Sequence, residues 1–271
     1  VSSDRVESFC KEDHFCQGCS LTALSYKQHL PHKKGILKDA LKKYTDFDVE
    51  SLPIKAVIPA ITQTGYKKVV SLPVTYFKGK VAVGIYQRES KYLTFMNNCS
   101  MQDPLINQCL VKIENILNEY KVRFMKVRNI AGQIQVLFVT GQDGISEEVT
   151  KAIGQIEEVK SIYFTINTSR HQDFEQQGYK KIYGQSTLPF QCFEQQYLYS
   201  IKSEFPINPE MEMKKLDIMK SFIPENTSVL SLNCGIGLLE LSLSQHVVAI
   251  DDKNYHIKDA KDNAKFLHKD N

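Results

Sequence analysis

Cys10, Cys16 and Cys19 fall within ten residues in the run CKEDHFCQGC, and Cys99 lies far downstream in FMNNCSMQDP. Thiolates are soft ligands that suit iron in inorganic clusters, and three close cysteines with one remote partner is how plant-type ferredoxins wrap such a cluster. This is the first reading of the four thiols. Zinc is the second: Cys16 and Cys19 form one short pair and His14 offers a nitrogen, but a second short pair is lacking. Plain thiols are the third. Disulfides are disfavoured, because the seven cysteines are an odd number, no secretory signal precedes them, and 271 residues can build a core without staples. Cys109 and Cys192 sit among apolar or mixed neighbours and read as buried free thiols.

A second chemistry-bearing pattern lies near the other end. The apolar run SVLSL leads into NCGIG, and VVAID follows, ending in Asp251. Gly235 and Gly237 permit close backbone approach between a strand and a helix, whose N-terminus offers N–H groups and positive dipole. A carboxylate at Asp251, at the end of the next strand, can accept from both ribose hydroxyls of an adenosine. The alternative is a tight turn in which Asp251 caps the following helix.

The elements that must position these residues follow from periodicity. Residues 19–43 read as helix broken near Pro31. KVVSLPVTYFKGKVAVGIYQRES reads as β structure, with Gly79 and Gly84 at turns or bulges. Pro104 opens a helix with Leu105, Leu110, Ile113 and Leu117 at helical spacing. VRFMKVRNIAGQIQVLFVTG predicts a hairpin about Ala131–Gly132–Gln133, Ser146 caps a further helix, and VKSIYFTIN is a strand. The region from Ser169 to about Phe193 is polar with strand-like pieces. Residues 1–203 therefore predict an α+β domain with mostly antiparallel strands. From residue 204 the order becomes helix, SVLSL strand, glycine turn, LLELSLSQ helix, VVAID strand, helix: the start of a Rossmann-like α/β domain with parallel strands.

The bulk composition limits the partners. Hydrophobic residues make up 42% and charged residues 24%, ordinary for a globular protein. No apolar run approaches a membrane span, so no membrane partner is expected. The absence of a signal peptide predicts an intracellular protein, in the cytoplasm or, as the alternative, an organelle matrix. A net charge of +3 does not by itself demand nucleic acid. Lysine pairs at Lys33–Lys34, Lys42–Lys43, Lys67–Lys68, Lys180–Lys181 and Lys214–Lys215 suggest a basic face, although each pair alone reads as solvated surface.

Taken together, these motifs resemble the RNA 5-methyluridine methyltransferases. CKEDHFCQGC is similar to that family's C-x5-C-x2-C motif, and Cys99 falls where its fourth ligand lies. VGIYQRES with NNCSMQDPLIN, VKSIYFTIN, KKIYG, SEFPINP, LNCGIG, VVAID and KDNA resemble successive family segments, in order, over nearly the whole chain. The resemblance implies a 4Fe-4S cluster on Cys10, Cys16, Cys19 and Cys99 in a central domain that helps hold RNA. It also implies S-adenosylmethionine bound near Cys234, Gly235, Gly237 and Asp251, and methylation of uridine carbon 5 in ribosomal or transfer RNA, with ribosomal RNA preferred. In the family a cysteine thiolate attacks carbon 6 of the uracil, and a carboxylate later removes the carbon 5 proton.

The resemblance also breaks in places. The family's nucleophile and base lie beyond the position matching Asn271, so no catalytic residue is assigned, and Cys234 matches a loop cysteine that is not the nucleophile. Pro206 replaces a glutamine that touches the cofactor, Ser231 an acid, Asn233 a tyrosine, and Glu240 a small residue. Two parallel strands alone would leave edges and apolar faces bare, so the domain is expected to continue past this chain or to be covered by a ribonucleoprotein partner. The alternative function is an inactive relative that binds RNA as a structural component.

Overall fold

The computed structural model describes residues 3–10, 12, 16, 18–77, 79–87, 90, 92–117, 122–168, 177–243 and 246–269. His14 and residues 169–176 of the polar stretch lie outside them. The chain falls into two compact units, Val1–Gln63 with Ile85–Thr94, and Thr64–Gly84 with Phe95–Asn271.

The first unit is built around helix α1, Tyr26–Tyr44. It starts later than its periodicity suggests and runs through Pro31 without a break. Proline deletes one N–H bond there, and the Lys-rich sequence downstream, with Leu37, Ala40 and Leu41, carries the helix on. Surface contacts hold it: Lys38 and Lys42 both reach Glu50, at 2.6 and 2.9 Å, and the Tyr26 hydroxyl accepts the Ala60 N–H at 2.8 Å. The His29 Nε2–H donates to the carbonyls of Leu21 and Leu24.

Strands β1 (Val69–Phe77), β2 (Lys80–Tyr86), β3 (Leu93–Phe95), β4 (Val122–Ile130), β5 (Gln133–Thr140), β6 (Val159–Ile166) and β7 (Lys180–Gly184) form one sheet in the order β3-β2-β1-β4-β5-β6-β7. Pairing is antiparallel from β1 to β2, β1 to β4, β4 to β5 and β6 to β7. The β5–β6 pair is parallel, with Phe138 opposite Phe164. That crossover is made by helix α3, Glu147–Gly154, whose N-cap Ser146 accepts the Val149 N–H as its sequence position predicts.

Helix α2, Pro104–Ile116, covers this sheet. Ile106, Leu110 and Ile113 from one helical stripe pack with Leu72, Val83, Met125, Val127, Val136 and Phe138 in one core. The N-cap Asp103 accepts the Leu105 N–H, the Asn129 side-chain amide and the Lys68 ammonium, tying α2 to β4.

A hairpin of β8 (Thr187–Cys192) and β9 (Gln195–Ser200) follows, then helix α4 (Pro209–Ser221), β10 (Ser228–Leu232), β11 (His246–Ile250) and helix α5 (Asn254–Phe266). The β10–β11 pair is parallel, with Leu230 beside Val248 and Leu232 beside Ile250. LLELSLSQ, read as helix, forms turns and a single 3-10 turn at Glu240–Ser242 instead, while Ser244 and Gln245 lie outside the described residues. The buried Leu239 beside the intermediate Leu238 and Leu241 locks this stretch into the second core rather than letting it wind on. That core joins Leu188, Tyr197 and Tyr199 of the hairpin to Phe205, Leu216, Ile236 and Leu239.

Candidate functional site

The turn from β10 carries three left-handed residues, Asn233 (φ 60°), Gly235 (φ 56°) and Gly237 (φ 82°). Asparagine and glycine are the residues that accept this conformation at least cost. The two glycines serve different ends. A Cβ on Gly237 would meet Leu241 at 3.1 Å, so this glycine lets the chain fold back on itself. A Cβ on Gly235 would meet nothing within 4 Å, so this face of the loop is open.

Asp251, at the end of β11, fixes the loop. Its Oδ2 accepts the Gly235 N–H at 2.9 Å, and its Oδ1 accepts the Lys253 N–H at 2.9 Å and faces His256 Nδ1 at 3.0 Å. The side chains of Asp251 and His256 are only 4% and 8% exposed. Burial alone would raise the Asp251 carboxyl, but the Lys253 and Gly235 N–H donors and His256 outweigh it and hold the group below its ordinary value. An ionised carboxylate facing Nδ1 accepts a hydrogen bond from that nitrogen. Nε2 is buried and has no partner among the described residues.

Two clefts open at the loop and share Glu204, Asn233, Gly235 and Ile236. The smaller, about 260 Å³, adds Asp251, Asp252, Lys253 and His256. The larger, about 670 Å³, runs past Tyr199, Phe205, Pro206, Ser231, Cys234 and Glu240. Phe205 is wedged edge-on against Tyr199 and Phe190, with ring centroids 4.8 and 5.1 Å away, which makes this wall rigid and apolar. Burial, then the Glu240 and Asp251 carboxylates, push the Cys234 thiol up to about 11. It stays protonated near neutral pH and is a poor nucleophile.

The structure thus gathers Cys234, Gly235 and Asp251 around one pair of clefts, with Gly237 behind them. Glu204 and Phe205, from the SEFPINP segment, also line this space, as do Tyr199 and His256, which carried no signal in the sequence. His256 sits inside an otherwise ordinary amphipathic stretch, NYHIKDAKDNA, and only its ring bond to Asp251 distinguishes it.

The N-terminal cysteines differ. Cys10, Cys16, Cys19 and Cys99 are partly exposed and none is in a disulfide. A Cβ on Gly18 would stand 3.1 Å from Cys16 Sγ, so a glycine leaves that sulfur room. Their donor chemistry suits a metal cluster, yet among the described residues no three His, Cys, Asp or Glu side chains are arranged to hold a metal ion. Nor is any helix of the described residues long and apolar enough to cross a membrane.

With this geometry in place, similarity to known proteins becomes informative. The chain matches no family model. Over 99% of its length it superposes, with a TM-score of 0.76 and 19% identity, on 64% of the Pyrococcus abyssi tRNA (uracil-54, C5)-methyltransferase, solved in complex with S-adenosyl-L-homocysteine. The chain has the fold of an RNA methyltransferase. Two proteins described as uncharacterised RNA methyltransferases agree with it. One, from Oceanobacillus iheyensis, is 28% identical over 97% of this chain; the other, from Streptococcus agalactiae, is 23% identical over 97%. In each case the chain spans 62% of the relative's length.

Proposed function

We propose that this chain is the RNA-holding and cofactor-binding part of an S-adenosylmethionine-dependent enzyme that methylates carbon 5 of a uridine in ribosomal or transfer RNA. The observation that carries this reading is the open glycine loop at the end of a parallel strand, fixed by Asp251 and flanked by two clefts. The RNA-methyltransferase fold around it supports the same reading.

In this reading residues 1–203 serve the RNA and residues 204–271 serve the cofactor. When bound, S-adenosylmethionine supplies an electrophilic methyl group. The chain's own residues bind and orient: Gly235 lets the ligand approach the backbone, Asp251 holds the loop in register, and Phe205 with Pro206 offers an apolar wall that excludes water. No nucleophile or base is assigned among the described residues, and the raised Cys234 thiol does not supply one. The four cysteines at 10, 16, 19 and 99 remain the proposed ligands of a 4Fe-4S cluster on sequence resemblance, and no step of the chemistry is routed through it.

Calorimetry of the purified chain with S-adenosyl-L-homocysteine tests the reading. We expect one site with a dissociation constant on the order of micromolar, and loss of the heat in Gly235→Val, whose branched side chain cannot adopt the loop conformation. Absence of binding at millimolar ligand would remove the cofactor reading. It would favour a second one, an RNA-binding structural relative without methyl transfer, motivated by Pro206 and Ser231 in the wall of the cleft.

A further inference from the structure

Three carboxylates line the smaller cleft: Glu204, Asp251 and Asp252. Their surroundings differ. Glu204 is paired with the Lys253 ammonium at 3.1 Å. Asp251 is spent on the loop, and its side chain is only 4% exposed. A carboxylate offers about four lone-pair sites. On Asp251 three are taken, Oδ2 by the Gly235 N–H, and Oδ1 by the Lys253 N–H and by His256 Nδ1. Asp252 is exposed and makes no hydrogen bond or ion pair among the described residues. Nor does it cap α5, whose N-cap is Lys253. The nearest cation in sequence, that same Lys253, is engaged by Glu204.

The wall around Asp252 indicates what such a carboxylate can meet. A Cβ on Gly235 would meet nothing within 4 Å, so ligand atoms have room to approach the backbone of this cleft. A metal ion does not suit it, because no three ligating side chains are gathered there among the described residues. A vicinal diol does. Its two O–H groups can donate side by side to the two oxygens of one carboxylate, and both bonds are charge-assisted. Serving two hydroxyls takes two open oxygens. Asp252 has them, whereas Oδ1 of Asp251 is already filled.

We infer that Asp252, rather than Asp251, reads the ribose diol of a nucleoside-bearing ligand in the smaller cleft, and that Asp251 is a positioning residue. The inference rests on the cofactor reading above and names the side chain that gives the site its preference for ribose. It departs from the expectation that Asp251 accepts from both ribose hydroxyls. His256 is the reason for the departure: facing Oδ1, it stands where the second hydroxyl would have to donate.

The test compares S-adenosyl-L-homocysteine with its 2′,3′-dideoxy analogue by calorimetry, with a thermal melt of each protein. The wild-type chain should bind the dideoxy form about tenfold or more weakly, the loss expected for hydrogen bonds to a charged group. Asp252→Ala breaks no bond among the described residues. It should weaken S-adenosyl-L-homocysteine by that same factor, leave the analogue within about twofold, and melt as wild type does. Asp251→Asn should melt lower and keep the preference for the diol. If Asp252→Ala retains the wild-type ratio of the two affinities, or if wild type binds both ligands equally, the assignment is wrong while the cofactor reading stands. It is also wrong if Asp251→Asn, still folded, abolishes the preference. If wild-type protein binds neither ligand, the cofactor reading falls and this assignment with it. Should Asp251→Asn fail to fold, the ratio measured on Asp252→Ala decides alone.

Discussion

At the scale of single residues, the Asp251 carboxylate does the most with one side chain. It accepts from the Gly235 and Lys253 backbones and orients His256, while its own atoms are almost wholly buried. Because these donors favour the ionised form, its ionisation lies below that of the unfolded chain. The stability it contributes is therefore present above the ordinary carboxylate range, about 4, and is lost as pH falls through the lower native value. Asp251→Asn should cost about 2 kcal/mol at pH 7, the scale of a charge-assisted hydrogen bond. The difference from wild type should close as pH drops below about 4. Urea titrations of both proteins between pH 7 and 2 measure this, and a pH-independent difference would refute it. The glycines and Asp251 were readable from the sequence because conformation and spacing constrain residue type. The bond from Ser231 to Glu240, nine positions apart, was not: each residue looked like an isolated departure from a pattern, and only the fold places them face to face.

At the scale of elements, the question is what fastens the β10–β11 pair to the rest of its unit. Asn263 of α5 is one fastener. Its Oδ1 accepts the Leu198 N–H at 2.7 Å, and its Nδ2 donates to the Leu198 carbonyl at 3.2 Å and the Ile236 carbonyl at 3.4 Å, imitating a strand along the edge of β9. Arg128 is another. Fully buried, it donates to the carbonyls of Ser200 and Ser203 and to Gln135, and burial lowers its ionisation to about 10. Ser200 and Ser203 in turn donate to Asp259 of α5, at 2.6 and 2.5 Å. Asn263→Ala removes the side-chain partners of the part-buried Leu198 amide and carbonyl, which should cost about 1–2 kcal/mol. Hydrogen exchange should show the Leu198 amide losing protection while β4 and β5 keep theirs. Unchanged exchange at Leu198 would show that α5 is held by packing alone. One face of the β10–β11 pair is open: Leu230 and Leu232 are 65% and 66% exposed, and Val248 and Ile250 are 48% and 49% exposed. Alternation along a strand assigns these residues to one face, but the missing helix after the glycine loop was a different matter. Its leucines suit either a helix or a packed irregular turn, and contacts with the second core decided between them.

At the scale of the whole molecule, the chain joins a mixed sheet to a parallel strand pair that carries a glycine loop. The proposed cluster belongs here, since it concerns cysteines far apart in sequence. Anaerobically purified protein should be brown and contain iron and acid-labile sulfide, and Cys16→Ser should bleach it. Colourless wild-type protein with stoichiometric zinc would reverse the choice of metal. The lysine pairs show why charge runs say little about partners: Lys68 is paired with Asp103, Lys215 with Glu212, and Lys42 with Glu50. The order of the strands, the hairpin at Ala131–Gly132, the α3 cap and the glycine loop were determined by the sequence itself, because apolar periodicity, turn chemistry and capping act between near neighbours. The continuity of α1 through Pro31, the 3-10 turn, the second core, the Asp251–His256 pair and the Ser231–Glu240 bond were decided only by the tertiary structure. Each depends on contacts between side chains or backbones that folding brings together, and burial sets which of those contacts must be satisfied.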